Sequence, residues 1–413
     1  MFLKRNEPDI LVALEVGTHK IVAAVAETTP TRELNVLGLG EELSAGVRKG
    51  EIVDFKAASD AIQSALVKAE EITDVQIAEV YLALSGGHIG SRNLHLRTAI
   101  SDDDQTIREE HLADLAQMAA AQPIPPDHVR IHELPQHYYL DNETPVDHPL
   151  GLSSSSLGAS YHVIHGMETR LETTVRSIRE LGIMVKGCAV SAYAGAQAVL
   201  SEAQKMAGAV LIDLGAGTSD YIVYSKGAVI HSGVLGVGGD HLTQDLSIGL
   251  KIPYARAERL KVDQGHLDMD GFPADDRILL PRDGTFDEKS IARESMSLIM
   301  RVRQEETLRL ISDDLDRAGV WPLVHGGVFL TGGASRTRGL LPLASQIFPA
   351  PVQIVSGPRT EGDDRLIGGR PDLITVLGLL RYAQTIELRE GKPRGWARLR
   401  HSLRSVLESI RLV

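Results

Sequence analysis

AVLIDLGAGTSDYIVY, Ala209 to Tyr224, repeats in outline a segment met near the start of the chain, LVALEVGTHKIVAA, Leu11 to Ala24. Each is an apolar strand, a carboxylate, a glycine–threonine turn and a second apolar strand. Glu15 and Asp213 hold matching places, 198 residues apart. Such a repeat predicts two α/β lobes of like design, each offering one β-hairpin to a shared cleft. Gly17, Gly215 and Gly217 let the backbone turn sharply and approach a ligand. Exposed N–H groups at turns of this kind bind phosphate oxygens, and Thr18, Thr218 and Ser219 add hydroxyl donors. Glu15 and Asp213 would repel phosphate, so a cation between them is expected. Mg²⁺ takes oxygen ligands and keeps several waters, so both carboxylates are expected to act through water that they position. Two ordinary glycine-turn hairpins would explain either copy alone; matched carboxylates in both favour a site.

Two weaker signals follow. In LGVGGDHLTQDLSIGL, Leu235 to Leu250, Gly238 and Gly239 precede a helical pattern that opens at Asp240, where free N–H groups favour anions. In GVFLTGGASRTRGL, Gly327 to Leu340, an apolar strand runs into Gly332 and Gly333 and then an expected helix. Backbone there can lie close to a planar base or a ribose.

These four segments together resemble the actin-like ATPase superfamily, and within it most of all the bacterial cell-division FtsA family. The resemblance covers nearly the whole chain. It is carried by AGVRKGEIVDFKAASDAIQSALVKAEE (Ala45–Glu71), VYLALSGGHIGSRN (Val80–Asn93), IHELPQHYYLD (Ile131–Asp141) and GLKIPYARAERLKVDQG (Gly249–Gly265). It implies a two-lobed ATPase fold of duplicated ribonuclease H-like domains. By the same resemblance Gly17, Thr18, His19 and Lys20 match the first phosphate loop, and Asp213, Gly215, Gly217, Thr218 and Ser219 the second. Gly238 and Gly239 match the loop beside the nucleotide, Glu258 and Lys261 the pair that holds ribose and adenine, and Gly332, Gly333 and Ala334 the adenosine motif. ATP and Mg²⁺ are the implied cofactors. Two departures point to slow or no hydrolysis. The stretch AVSAYAGAQAVL offers Ser191 where the chaperone cousins place a glutamate, and Glu15 stands where many members of the superfamily have Asp.

The resemblance also orders the chain. Residues 1–84 and 165–200 would form the first lobe core, with a small subdomain inserted at 85–164, a position that distinguishes the division family from actin. Residues 201–240 and 327–384 would form the second lobe core, with 241–326 its small subdomain, 385–395 a linker and 396–413 an amphipathic helix. Local patterns add strands near Ile10–Leu14, Ile21–Ala26 and Val80–Leu84, and helices over Lys56–Thr73, Glu168–Leu181, Tyr193–Glu202 and Ser290–Ala318. The Asp-, Gly- and Pro-rich stretch from Gly265 to Asp287 reads as irregular, and Ser153–Ser156 as a loop.

Composition bounds the class. The chain has 413 residues, 43% hydrophobic and 24% charged, with a net charge of −12 and one cysteine, Cys188. That is the make-up of an ordinary soluble protein with no internal disulfide. No signal peptide and no apolar run long enough to span a bilayer is visible. The fifteen histidines show no metal-ligand spacing such as HExxH and are read as surface or core residues.

Charge is unevenly spread. From Gly391 to Val413 six basic residues stand against Glu408 alone. At 100° per residue Trp396, Leu399, Leu403, Val406, Leu407 and Ile410 share one face, with arginines off it. Trp and Leu opposite Arg is the pattern of a helix lying in the plane of an anionic membrane. The acidic body argues against nucleic acid. The expected function, following the resemblance, is an ATP-binding protein on the cytoplasmic face of the cell membrane at the division site. It would polymerise with itself, tether the C-terminal peptide of the division tubulin FtsZ and meet later division proteins. Arg301, Arg303 and Arg309 on the long helix are the expected peptide contacts. Alternatives are an actin-like adaptor of a pilus or secretion system, or a small-molecule kinase of the same superfold.

Overall fold

Strand β1 (Asp9–Val16) alternates its side chains between two cores. Leu11 and Ala13 enter a central core shared by both lobes, and Val12, Leu14 and Val16 enter an outer one. This period of two is the geometry of an extended chain buried on both faces. Antiparallel partners β2 (Lys20–Thr28) and β3 (Leu34–Leu43) extend one side of β1. Parallel strands β6 (Glu79–Leu84) and β11 (Met184–Val190) extend the other, giving the order β3-β2-β1-β6-β11. Helices α1 (Phe55–Thr73) and α3 (Glu168–Arg179) cover the outer face. Asp54 caps α1 by accepting the Ala57 N–H, and a short hairpin, β4 (Val47–Arg48) and β5 (Glu51–Ile52), precedes it.

The second sheet repeats the first. Strands β12 (Ala209–Leu214), β13 (Ser219–Ser225) and β14 (Ala228–Leu235) form an antiparallel meander, and β17 (Gly327–Thr331) and β18 (Val352–Ile354) add in parallel beyond β12. Its order, β14-β13-β12-β17-β18, matches the first sheet position for position. Ala209 and Leu211 join the central core, while Val210, Ile212 and Leu214 face outward. The outer face is covered by α6 (Gly239–Leu250), α7 (Tyr254–Gln264), α8 (Arg293–Arg317) and α9 (Leu340–Ile347), with the hairpin β15 (Arg277–Leu280) and β16 (Lys289–Ala292) beside them.

Two helices fill the space between the sheets. Helix α4 (Ser191–Val199) leaves the first sheet and packs on β12 and β13. Helix α10 (Ile374–Glu390) leaves the second sheet and packs on α4 and on β1, β2 and β6. A short helix α5 (Glu202–Ala207) follows α4, with Ser201 as its N-cap.

The insertion is a four-stranded sheet, ordered β7 (Gly90–Ala99), β10 (Ser156–Met167), β8 (His128–Leu140), β9 (Thr144–Val146), with α2 (Glu109–Ala121) on one face. It leaves the first lobe in sequence yet touches the second. Asn93 Nδ2 donates to the Ile230 carbonyl, Gln136 Nε2 to Val229 and Ser91 Oγ to Ser232. Buried His162 bonds Asn93 Oδ1 at 2.7 Å and Ser232 Oγ at 2.8 Å.

This is a computed structural model, and it describes residues 9–29, 33–141, 144–269, 273, 276–284, 286–357 and 368–390. The expected membrane-facing residues Trp396, Leu399, Leu403, Val406, Leu407 and Ile410 lie outside them. Several local expectations are corrected. The helix expected to run from Tyr193 to Glu202 begins at Ser191 and breaks at Leu200, because Ser201 caps a new helix through the Gln204 N–H. The stretch read as irregular contains β15, and Ser290 belongs to its partner β16, not to the long helix. The helix expected to open at Asp240 has Gly238 as its N-cap and opens at Gly239.

Candidate functional site

The alternation that sends Leu11 and Ala13 into the central core brings Glu15 to the end of the same face. Asp213 follows Ala209 and Leu211 in the same way, and Asp220 stands directly opposite Asp213 across the hairpin. Three carboxylates therefore gather where the two sheets part. Glu15 Oε2 and Asp220 Oδ1 are buried without a hydrogen-bond partner. Asp213 Oδ2 accepts from Thr375 Oγ1 at 2.6 Å, and Asp220 Oδ2 from Thr218 Oγ1 at 2.8 Å and Ser85 Oγ at 2.9 Å.

Burial, then the neighbouring negative charges of Asp213, Asp220 and Asp372, push the Glu15 carboxyl up to about 8, with Lys20 opposing. Burial and Asp213 push Asp220 up to about 7. Burial and Asp372 push Asp213 up to about 6, against the Thr375 hydrogen bond. Buried carboxylates crowded together resist ionising together. A hard divalent cation taking oxygen ligands would relieve both the repulsion and the orphaned oxygens.

The two glycine turns meet across the cleft. A Cβ on Gly217 would lie 2.3 Å from Thr18 Oγ1, so only glycine admits this approach. The Thr18 hydroxyl also accepts from the Gly50 N–H at 2.9 Å. Gly17 and Gly215 close their turns in the same way: each N–H donates to the carbonyl three residues on, of Lys20 and Thr218. His19 is exposed. Ser219 is fully buried and its hydroxyl donates to the Val237 carbonyl, so it positions the turn before Gly238. Gly239 and Asp240 then bond back to Gly215 and Ala216 through their N–H groups.

Beside this turn Lys261 Nζ donates to the Gly239 carbonyl at 3.1 Å and to Thr243 Oγ1 at 2.8 Å, and pairs with Glu258 at 2.7 Å. Thr243 also donates to Glu258. Ala334 Cβ lies 3.7 Å from the place a Cβ on Gly239 would take. Gly332 has φ +86°, and a Cβ there would strike Asp213 Oδ1 and the Leu214 carbonyl. Gly333 sits against Asp372. The structure thus brings Glu15, Asp213 and every expected glycine, Thr18, Thr218, Glu258, Lys261 and Ala334 to one cleft. Lys20 is also there, but its ammonium is held by Glu41 at 2.8 Å and Asp372 at 2.5 Å.

Arg301, Arg303 and Arg309 lie apart from the cleft on α8. Arg303 is paired with Asp245 at 2.5 Å and with Glu306, and Arg309 with Glu305 at 2.7 Å. Arg301 donates to the Leu267 carbonyl and the Gln346 amide.

Sequence reading missed Asp220, Ser85, Asp372 and Thr375. Asp220 was within reach: pairing Leu214 with Ser219 across the turn sets it opposite Asp213. The others arrive from distant segments and carry no local signal.

Residues 210–372 match the family of cell division protein FtsA, and residues 86–165 match the SHS2 domain inserted in FtsA. The chain is 31% identical over 374 residues to the cell division protein FtsA of Pseudomonas aeruginosa, covering 90% of this chain and 89% of that one. It is 29% identical over 393 residues to FtsA of Escherichia coli (strain K12), covering 94% and 93%. Among solved structures, the PilM–PilN type IV pilus biogenesis complex superposes with a TM-score of 0.64 at 15% identity, covering 91% of this chain and 98% of that chain. MreB5 of Spiroplasma citri bound to AMPPNP gives 0.54 at 15% identity, covering 92% and 98%. At that identity the likeness is one of fold, and it agrees with the duplicated sheets. The sequence relationship is closer, and by it the chain belongs to the FtsA family of cell division proteins, within the actin-like ATPase superfamily.

Proposed function

We propose that this FtsA-family protein binds ATP with Mg²⁺ in the cleft, polymerises on the cytoplasmic face of the cell membrane and tethers FtsZ there through the FtsZ C-terminal peptide. The observation that carries the nucleotide reading is the meeting of Thr18 and Gly217 beside three crowded carboxylates. Glu15, Asp213 and Asp220 would hold Mg²⁺, directly or through water, and its charge would let them stay ionised beside phosphate. The turn N–H groups would take phosphate, and Glu258, Lys261, Gly332, Gly333 and Ala334 would flank ribose and base. A solved MreB5 structure with the same fold is described as bound to AMPPNP, which supports the reading by analogy of fold. Glu15, raised by burial, and Ser191, whose hydroxyl bonds the Leu84 carbonyl, accord with slow hydrolysis.

Membrane attachment rests on the tail's composition. Tails of this kind bind reversibly one at a time and firmly in a row, so attachment and polymerisation reinforce each other. The decisive experiment is calorimetry of Mg-ATP binding with wild type and Asp213→Ala, alongside electron microscopy on anionic lipid monolayers. The substitution is expected to weaken binding at least tenfold, about 1.4 kcal/mol. Unchanged affinity would remove Asp213 from the site. Monolayers bare of filaments with ATP present would remove polymerisation on the membrane.

A further inference from the structure

We propose that Lys49 binds the terminal phosphate of a nucleoside triphosphate and gives the cleft a preference for triphosphate over diphosphate. This rests on the nucleotide reading of the cleft and adds a residue to it from outside both hairpin turns.

Lys49 and Gly50 are the two loop residues of the β4–β5 hairpin, with φ of 52° and 75°. Positive φ at both central positions is the type I′ pattern, which favours Asn-Gly, Asp-Gly or Gly-Gly. A lysine at the first position departs from that preference, but the β13–β14 hairpin carries the same turn at Lys226 and Gly227, so it is the place of this turn that singles Lys49 out.

The turn is wedged between the two lobes. Gly50 N–H holds Thr18 Oγ1 on the first phosphate hairpin. On the other side, a Cβ on Gly217 would lie 2.8 Å from Lys49 Cα and 2.9 Å from Lys49 N. The backbone of Lys49 is therefore fixed against both glycine turns. Its stem extends along the second lobe, with Cδ 3.8 Å from where a Cβ on Gly236 would sit. Its charge also helps depress the basicity of His241, after burial of that ring, so the ammonium is within electrostatic reach of the start of α6.

The charge of Lys49 is also unspent. Lys20 is neutralised by Asp372 and Glu41, and Lys261 by Glu258. Lys49 is exposed and, among the described residues, has no acidic partner. A flexible ammonium is a compact point charge suited to phosphate. What sets Lys49 apart from a surface lysine in the same kind of turn is that its backbone is locked against the opposite lobe. The added group of a triphosphate brings further negative charge, and it is this group that a cation at the cleft mouth would reward.

Lys49→Asn tests this well, because asparagine suits the turn and removes the charge. Calorimetry with Mg-ATP and Mg-ADP on the full chain is expected to show a tenfold or greater loss for ATP and less than twofold for ADP. Lys49→Arg is expected to recover most of the ATP affinity. An unchanged melting temperature would confirm that Lys49→Asn folds. Equal losses for ATP and ADP, or no loss for either, would overturn the assignment while leaving the nucleotide site standing. A wild-type chain that binds neither nucleotide would overturn both.

Discussion

Lys20 Nζ lies 2.5 Å from Asp372 Oδ2, and this pair ties strand β2 of the first lobe to the residues that lead into helix α10. Arg370 joins it, holding Asp372 at 2.6 Å and Glu41 at 2.8 Å. Burial raises the Asp372 carboxyl, but the hydrogen bonds of Arg370 and Lys20 outweigh it and hold the group well below the usual carboxylate range. One turn further on, Thr375 reaches Asp213. Near its other end α10 is held to the first lobe through Glu387, which meets Tyr81 and Lys186. The helix therefore begins at the site and is anchored between the lobes along its length.

Asp372→Asn should lower the stability of the nucleotide-free protein. Lys20 and Asp372 side chains are each 17% exposed, so neither is fully solvated when its partner is lost. Removing one partner of a half-buried pair is expected to cost about 1–3 kcal/mol, below the range for fully buried pairs. Urea unfolding measures it, and an unchanged midpoint would make the pair a spectator of lobe docking.

The carboxylate cluster sets a dependence on pH. Glu15, Asp213 and Asp220 have folded pKa values above their ordinary ones. Between about pH 4 and pH 8 the folded state therefore holds more protons than the unfolded state, and this cluster's contribution to stability falls as pH rises. Glu15→Gln keeps the shape and removes one charge. It is expected to melt above the wild type at pH above 8, and to gain less from millimolar Mg²⁺. A variant that melts lower at that pH, or gains as much from Mg²⁺, would show that Glu15 bears no such repulsion.

The duplication was legible because each hairpin is local: strand, turn and strand lie within sixteen residues or fewer, and the carboxylate falls on a face that period two fixes. Asp213 and the glycines followed from that. Asp372 and Thr375 were not legible, because they reach the cleft from the segment that opens α10, and Thr375 meets Asp213 across 162 residues of sequence. Helix α4 was misjudged at its end for a smaller reason. Its alanine-rich run gives no stop signal of its own, and the break depends on Ser201 capping the next helix.

His162 links the inserted sheet to β14 of the second lobe. Burial pushes its ring down to about 3, so it stays neutral, with Nδ1 donating to Asn93 Oδ1 and Nε2 left to accept from the Ser232 hydroxyl. Its folded pKa is depressed, so its contribution to stability is present above its ordinary value of 6.5 and is lost as pH falls toward 3. His162→Ala would strip a partner from Asn93 and Ser232 at about 1–3 kcal/mol. Hydrogen exchange is expected to rise in Gly90–Ala99 and Ala228–Leu235, with the central core unchanged. A uniform rise across the chain would mean general destabilisation, not loss of this contact.

Trp396→Glu combined with Leu403→Glu is expected to release the protein from anionic liposomes while leaving ATP affinity unchanged. Both residues share the apolar face of the C-terminal sequence, so two carboxylates would have to enter the boundary between headgroups and acyl chains. Six apolar groups at about 1.5–3 kcal/mol each set a gross upper limit for that face. Partial burial and an ordering cost of about 1 kcal/mol or more per residue leave only a small net gain per tail. Arginines near anionic lipid add about 1 kcal/mol each, and the new carboxylates would oppose that attraction. A margin this narrow makes two substitutions sufficient even in a row of protomers. ATP binding should survive, since the glycines at 391 and 395 set the tail apart from the cleft residues in sequence. Co-sedimentation in wild-type amounts would refute the membrane role of this face. A matching fall in melting temperature would instead place the tail against the body of the protein.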